Sequence, residues 1–203
     1  MTNTSIMSST NRSDAREKHV ADYYVTPLQP IKDFLYRFLD DERIDNPEVM
    51  EWLDPCAGGD EFHPMSYPKV IRQVGVDKEN IHTIDIREDS LAEIKTDYLK
   101  MKPDYTKVYD VIITNPPFNI AQQIIEKALN EVADGGYVIM LLRLNYFGSK
   151  ARRQFWEDNM PIRAYIHHKR IGFTDDGKTD SIEYMHCVWE KGKKPLEIKT
   201  TIL

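Results

Sequence analysis

The stretch VMEWLDPCAGG, residues 49–59, carries a short apolar run straight into Asp54-Pro55-Cys56-Ala57-Gly58-Gly59. An apolar run bounded by turn formers reads as a buried strand, here over Val49 to Leu53, ending in a tight glycine turn. The same pattern of apolar run and polar stop recurs at residues 82–86 (HTIDI), 108–114 (VYDVIIT) and 137–142 (YVIMLL). Between the last two, residues 120–132 set Ile120, Ile124, Ile125, Ala128, Leu129 and Val132 on one helical stripe, stopped by Asp134-Gly135-Gly136. Strands alternating with helices predict an α/β fold with a mostly parallel open sheet. Late strands at residues 164–166 and 184–189, joined by the polar loop 174–180, predict an antiparallel edge strand. Upstream, PIKDFLYRFL (residues 30–39) puts Ile31, Phe34, Leu35 and Phe38 on one face of an amphipathic helix, and residues 151–160 form a further helix.

The chain has 203 residues, room for one sheet with its covering helices and too few for two comfortable domains. Residues 1–20, rich in Ser, Thr and Asn, cannot bury enough apolar surface to offset ordering and read as a mobile arm, leaving residues 21–203 as one domain. With 41% hydrophobic and 30% charged residues, wholesale disorder and coiled-coil architecture are excluded. No run approaches the ~18 apolar residues of a membrane span, and the polar start lacks the apolar core of a signal peptide. A cytoplasmic protein without membrane contact is expected. Cys56 and Cys187 fit neither a disulfide framework nor paired zinc ligands and read as free thiols, so no metal is expected. The net charge of -6 means that any nucleic acid must meet a local basic face. One is available in Arg143, Lys150, Arg152, Arg153, Arg163, Lys169 and Arg170, opposed by Glu157 and Asp158, although solvated helix and strand flanks would look the same.

In open sheets of this kind ligands sit outside the carboxyl ends of the strands. Three polar loops gather there: residues 54–59, Asp85, and Asn115-Pro116-Pro117-Phe118. A glycine pair or a strand-terminal Asp alone is explained by turn geometry or capping. The Asn-Pro-Pro-Phe tetrad is sharper, because two prolines fix φ and delete two donors, leaving carbonyl acceptors in a rigid bend. Asn115 adds an amide oxygen and Phe118 a flat face. Together they suit a planar group bearing an exocyclic amine, two acceptors serving its two N–H bonds. An ordinary Pro-Pro turn is the bland alternative.

Asp54 to Gly59, Asp85, Asp97-Tyr98-Leu99 and Asn115 to Phe118, in this order and spacing, resemble the S-adenosylmethionine-dependent amino methyltransferases of nucleic acids. The likeness is greatest to small phage and prophage adenine-N6 DNA methyltransferases. Asp22-Tyr23-Tyr24-Val25-Thr26-Pro27 looks like that family's cofactor motif placed upstream of the glycine loop, the gamma arrangement. The late loop, residues 170–180 with Glu183, Tyr184 and Trp189, is similar as well. The resemblance implies a Rossmann-like class I methyltransferase domain in a bacterial or phage-infected cell, with S-adenosylhomocysteine as product.

On that resemblance Asp54, Pro55, Ala57 and Gly58 cradle the methionine end of the cofactor, and Tyr24, Thr26 and Pro27 close over its carboxylate. Asp85, with Ile86 beside it, accepts from the ribose hydroxyls, and Asp97, with Tyr98, from the cofactor's adenine. Asn115 and the Pro116 carbonyl take the two hydrogens of the target amine, while Pro117 stiffens the bend. Holding those hydrogens out of plane frees the nitrogen lone pair for an in-line attack on the methyl group. The base is flipped from the duplex and stacked on Phe118. Phe173 is the candidate for the opposite face, or else a core aromatic, and Arg152 and Arg153 are candidate DNA contacts. The chain departs from the family at Asp60-Glu61, where a small residue is common, and it lacks room for a target-recognition domain of the usual size, so short or relaxed sites are expected. Its oligomeric state is open. Adenine methylation in RNA, glutamine methylation in protein, and a catalytically silent partner subunit are the rival readings. His167 and His168 read as surface or substrate-flank residues, Cys56 as a buried filler, and Lys191, Lys193 and Lys194 as a solvated tail, with phosphate contact the alternative.

Overall fold

A computed structural model describes residues 24–104, 106–173, 179 and 181–203. The predicted arm, Asp22, Tyr23 and nearly all of the late loop 174–180 lie outside the described residues. Eight strands form one sheet: β1 (Trp52–Asp54), β2 (Ile81–Asp85), β3 (Ile94–Lys95), β4 (Tyr109–Thr114), β5 (Val132–Arg143), β6 (Arg163–Ile166), β7 (Tyr184–Glu190) and β8 (Lys199–Ile202). Their spatial order is β3-β2-β1-β4-β5-β7-β6-β8. Every pair is parallel except those of β7, which runs antiparallel to both β5 and β6. This is the expected α/β architecture, a mostly parallel sheet with its antiparallel strand toward one edge, and the register places β6 and β8 outside β7.

The alternation of side chains along each strand sends one set to each face. Trp52, Val111, Ile113, Ile139 and Val188 meet α1 (Leu28–Glu42) and α2 (Ser66–Gln73) through Ile31, Phe34, Leu35, Phe38, Val70 and Ile71. Leu53, Ile112, Val138, Met140, Met185 and Cys187 meet α3 (Ala121–Glu131) and α4 (Arg153–Asp158) through Ile124, Ile125, Ala128, Phe155 and Trp156. The helical stripe Ile31, Phe34, Leu35, Phe38 is therefore core. Its helix also reaches the last strands: Phe34 packs edge-on to Tyr165 on β6 at 5.1 Å, and Arg163 pairs with Asp41 and Glu42 at 3.2 and 3.1 Å.

Three elements differ from their prediction. The first strand begins at Trp52, because residues 47–49 wind into a 3-10 turn that leaves Val49 exposed. Helix α2 follows the glycine loop with Pro68 inside its first turn, where a missing donor costs nothing, and the proline hides its apolar face from periodicity. Residues 199–202 form the edge strand β8, and Lys191, expected in a solvated tail, bonds the Asn130 and Val132 carbonyls at 3.1 and 2.7 Å where α3 ends.

Candidate active site

The loop leaving β1 is tied to the end of β2 by its own backbone. The Ala57 N–H donates to the Ile84 carbonyl at 2.9 Å, and the Gly58 N–H to Asp85 Oδ2 at 2.7 Å. The other Asp85 oxygen accepts from the Arg87 N–H at 2.9 Å. Gly58 and Gly59 have φ of 64° and 74°, the left-handed region that a side chain disfavours, and a Cβ on Gly59 would come within 2.7 Å of Met65 Cγ. At the strand end Asp54 is buried, and its Oδ1 accepts from the Cys56 N–H at 3.2 Å, so it braces the loop from below. Burial, with the charge of Asp85 adding to it, pushes the Asp54 carboxyl up to about 7. Asp60, the departure noted above, folds back on its own turn: its Oδ1 accepts from the Phe62 and His63 N–H groups, each at 2.8 Å.

On the neighbouring β4 the chain passes from Thr114 into Asn115-Pro116-Pro117-Phe118. Asn115 Nδ2 donates to Thr26 Oγ1 at 3.0 Å, which ties the segment before α1 to the tetrad. Asn115 Oδ1 is buried and has no hydrogen-bond partner among the described residues. A buried acceptor left open is costly unless something outside the chain meets it.

These loops line a cleft at the carboxyl ends of the strands, where open sheets of this kind hold their ligands. Tyr24, Thr26, Ala57, Gly58, Asp85, Ile86, Asn115, Pro116, Pro117 and Phe118 all line it. Other predicted residues stand back from it. Pro27 is the N-cap of α1, and Asp54 and Pro55 lie beneath the loop. Asp97 accepts from the Leu99 N–H at 3.0 Å and pairs with Lys100 at 3.2 Å, while the buried Tyr98 donates its hydroxyl to Glu131 at 2.7 Å. Phe173 packs edge-on to Tyr24 at 5.9 Å and to Tyr184 at 4.9 Å, one ring removed from Phe118.

The basic face predicted from composition is divided. Arg153 pairs with Glu157 at 2.7 Å, Arg163 with Asp41 and Glu42, and Arg170 with Glu183 at 3.2 Å. Arg152 donates Nε to the Tyr146 carbonyl at 2.9 Å and stacks over that ring. Arg143, at the end of β5, holds its guanidinium 4.5 Å from the centre of the Phe118 ring.

Val25, Cys56 and Gly59, inside the predicted motifs, also line the cleft, whereas sequence reasoning missed Pro64, Ser66, Tyr67 and Arg87. Ser66 and Tyr67 went unseen with α2 itself. Cys56 faces the cleft, half-buried, so it is more than filler. His167 corrects the surface reading. It is buried, and its Nε2 lies 2.8 Å from Nδ1 of His186, whose Nε2 lies 2.9 Å from the Tyr67 hydroxyl. Burial lowers His167 to about 4 and His186 below its ordinary value, so both imidazoles are neutral at pH 7. His168, its neighbour, points outward and meets the Leu203 carbonyl. Among the described residues no three His, Cys, Asp or Glu side chains gather as metal ligands would, and no helix is long and apolar enough to cross a membrane.

No protein-family signature and no curated protein sequence matches the chain. Solved structures do. A Listeria monocytogenes protein described as a class I S-adenosylmethionine-dependent methyltransferase superposes with a TM-score of 0.62 at 16% identity, covering 88% of this chain and 65% of that one. The type IIG restriction endonuclease BpuSI gives 0.61 at 14%, covering 88% and 27%. A Pyrococcus horikoshii protein described as an RNA methyltransferase gives 0.60 at 15%, covering 87% and 94%. The chain thus spans less than two thirds of the first and about a quarter of the second. At these identities the likeness is one of fold, and the fold is that of the class I S-adenosylmethionine-dependent methyltransferases.

Proposed function

We propose that this chain transfers a methyl group from S-adenosylmethionine to the N6 amine of adenine in DNA. The observation that carries the reading is the open Asn115 Oδ1, buried at the cleft beside a diproline bend and held by the Thr26 hydroxyl through the other amide atom. An acceptor placed in advance, with its rotation restrained, is what orienting a weakly nucleophilic amine demands.

The residues present suit the cofactor. The glycine loop offers backbone without side chains, and the Asp85 carboxylate, with two N–H bonds made, retains lone pairs for a ribose diol. Tyr24, Thr26, Ala57 and Gly58 would surround the methionine end, and Ile86 the sugar. Asp97 and Tyr98 would border the adenine end from outside the present lining. When bound, the cofactor supplies an electrophilic methyl group on a sulfonium.

The chain's own residues do the remainder. Asn115 Oδ1 accepts one amine hydrogen and the Pro116 carbonyl the other, which draws both from the ring plane and exposes the nitrogen lone pair. Pro116 and Pro117 keep that pair of acceptors from relaxing, and Phe118 supports the base. A base within a duplex cannot present its amine in this way, so it is flipped. Phe173, a ring away, would close the aromatic wall, and Arg152 and Arg153 would meet the nucleic-acid backbone.

Incubation of the protein with methyl-labelled cofactor and separate pools of duplex DNA, single-stranded DNA, RNA and protein tests the reading. Label should enter DNA at adenine, and Asn115→Ala should lower the rate by about 100-fold, the loss of one preorganised contact. RNA stands as an arm because one similar fold, of nearly the same length, is described as an RNA methyltransferase. Label in RNA alone would move the substrate, and an undiminished Asn115→Ala rate would end the amine-orienting role.

A further inference from the structure

Arg143 closes β5 on the rim that carries Asn115, and its guanidinium carbon lies 4.5 Å from the Phe118 ring centre. Its Nε is buried without a hydrogen-bond partner, and among the described residues no carboxylate pairs with it. The acid nearest in register is Glu183, beside Tyr184, which stands opposite Arg143 across β5 and β7. Glu183 is already engaged by two nitrogens of Arg170, at 3.2 and 3.3 Å. The fold therefore keeps a cation against Phe118, the ring proposed to stack on the target base, and gives it no counter-charge among the described residues. Leaving such a charge half-buried and unpaired is unfavourable for the free protein. It becomes favourable once an anion arrives.

Which anion follows from position. Arg143 is absent from the cleft lining, so its ligand lies outside the space assigned to the cofactor, on the outer side of Phe118. A group there, attached to a base whose amine reaches Asn115, is the phosphodiester of the same or the adjoining nucleotide. The planar guanidinium suits it, offering a fork of donors to two phosphate oxygens while its flat side rests on the aromatic ring. We infer that Arg143 is a phosphodiester-binding residue that anchors the nucleic-acid backbone beside the target base. This rests on the reading of the cleft as a nucleic-acid methyltransferase site and adds to it the residue that grips the backbone.

The test uses the whole protein and a fluorescein-labelled single-stranded 12-mer oligodeoxynucleotide with one central adenine. Binding is followed by anisotropy at salt concentrations from 50 to 300 mM. Arg143→Gln should weaken binding several-fold at 100 mM salt and flatten the slope of log Kd against log salt by about 0.7, one phosphate contact on a single strand. Arg143→Lys should keep the slope and lose part of the affinity, since it retains the charge without the fork. Arg37→Gln, on α1 and paired with Asp41, should change neither. A scan replacing one phosphate at a time by an uncharged methylphosphonate adds a readout independent of how the variant folds. One position should weaken binding to the wild type and leave Arg143→Gln indifferent. An Arg143→Gln slope equal to that of the wild type, or no such position, overturns the assignment while leaving the methyltransferase reading intact. A wild type that binds neither DNA nor RNA overturns both.

Discussion

Asp54→Asn should make the protein more stable at alkaline pH and little changed in acid. In the fold the Asp54 carboxyl titrates at about 7, against 3.8 when free, because burial disfavours its charge. Between those values the folded chain holds a proton that the unfolded chain has shed. The stability linked to this group is full below pH 3.8 and is lost as the pH rises through 7. At about 1.4 kcal/mol per pH unit, the interval from pH 5 to 7 alone removes roughly 3 kcal/mol, a large part of the ~5–15 kcal/mol that a domain has. The asparagine amide cannot ionise. Its oxygen still accepts from the Cys56 N–H, and its NH2 turns toward Thr114, whose hydroxyl approaches the carboxyl but makes no hydrogen bond of normal geometry. Urea unfolding of both proteins at pH 5 and pH 8.5 should show the advantage of Asp54→Asn growing by about 3 kcal/mol. Taking the difference between the proteins cancels every other titration. An advantage that stays constant with pH would refute the burial of a strained carboxyl beneath the glycine loop.

Thr26→Val should lower kcat about tenfold at saturating cofactor, because it frees the Asn115 side chain, and Thr26→Ser should restore the rate. Steady-state kinetics with both substrates varied separates this from any loss of cofactor affinity; an unchanged kcat with a raised cofactor KM would leave Thr26 a role toward the cofactor alone. His167 titrates at about 4 when folded and 6.5 when free, so the unfolded chain takes up a proton that the fold refuses. Its contribution is full above pH 6.5 and lost as the pH falls through 4, up to roughly 3 kcal/mol. His167→Gln should therefore lose less stability than the wild type between pH 7 and 4.5, as read from urea midpoints.

What could be read in advance followed from periodicities that single elements display. β2, β4 and α3 carry their apolar pattern within themselves, and the loops at their ends were placed correctly on one rim. Helix α2 carries its pattern too, but Pro68 interrupts it. β8 has no pattern at all, since its residues are mostly exposed and it is held by pairing with β6. Within the cleft, residues contributed by the turns themselves were legible, whereas Tyr67 and Arg87 come from the segments those turns open into. Charge was the least legible property. Arg153, Arg163 and Arg170 seemed one face along the sequence, yet each finds an acid only once the chain is folded, and Arg163 finds its pair more than a hundred residues upstream. His167 hides for the same reason: its partner His186 comes from a later strand, and Tyr67, which bonds His186, from an earlier helix.

The packing of α1 on β6 and β7 means that one stretch of the chain rests on another synthesised more than a hundred residues later. Until the strands around Tyr165 and His186 leave the ribosome, Phe34 has no floor, and the Tyr24–Thr26 wall attached to that helix has nothing to hold it beside Asn115. Contacts so distant in sequence close late and slowly. Nascent molecules would pass through a stage in which the helix's apolar stripe is unsheltered, open to chaperones or to self-association, and the cleft would form only after β6 and β7 emerge.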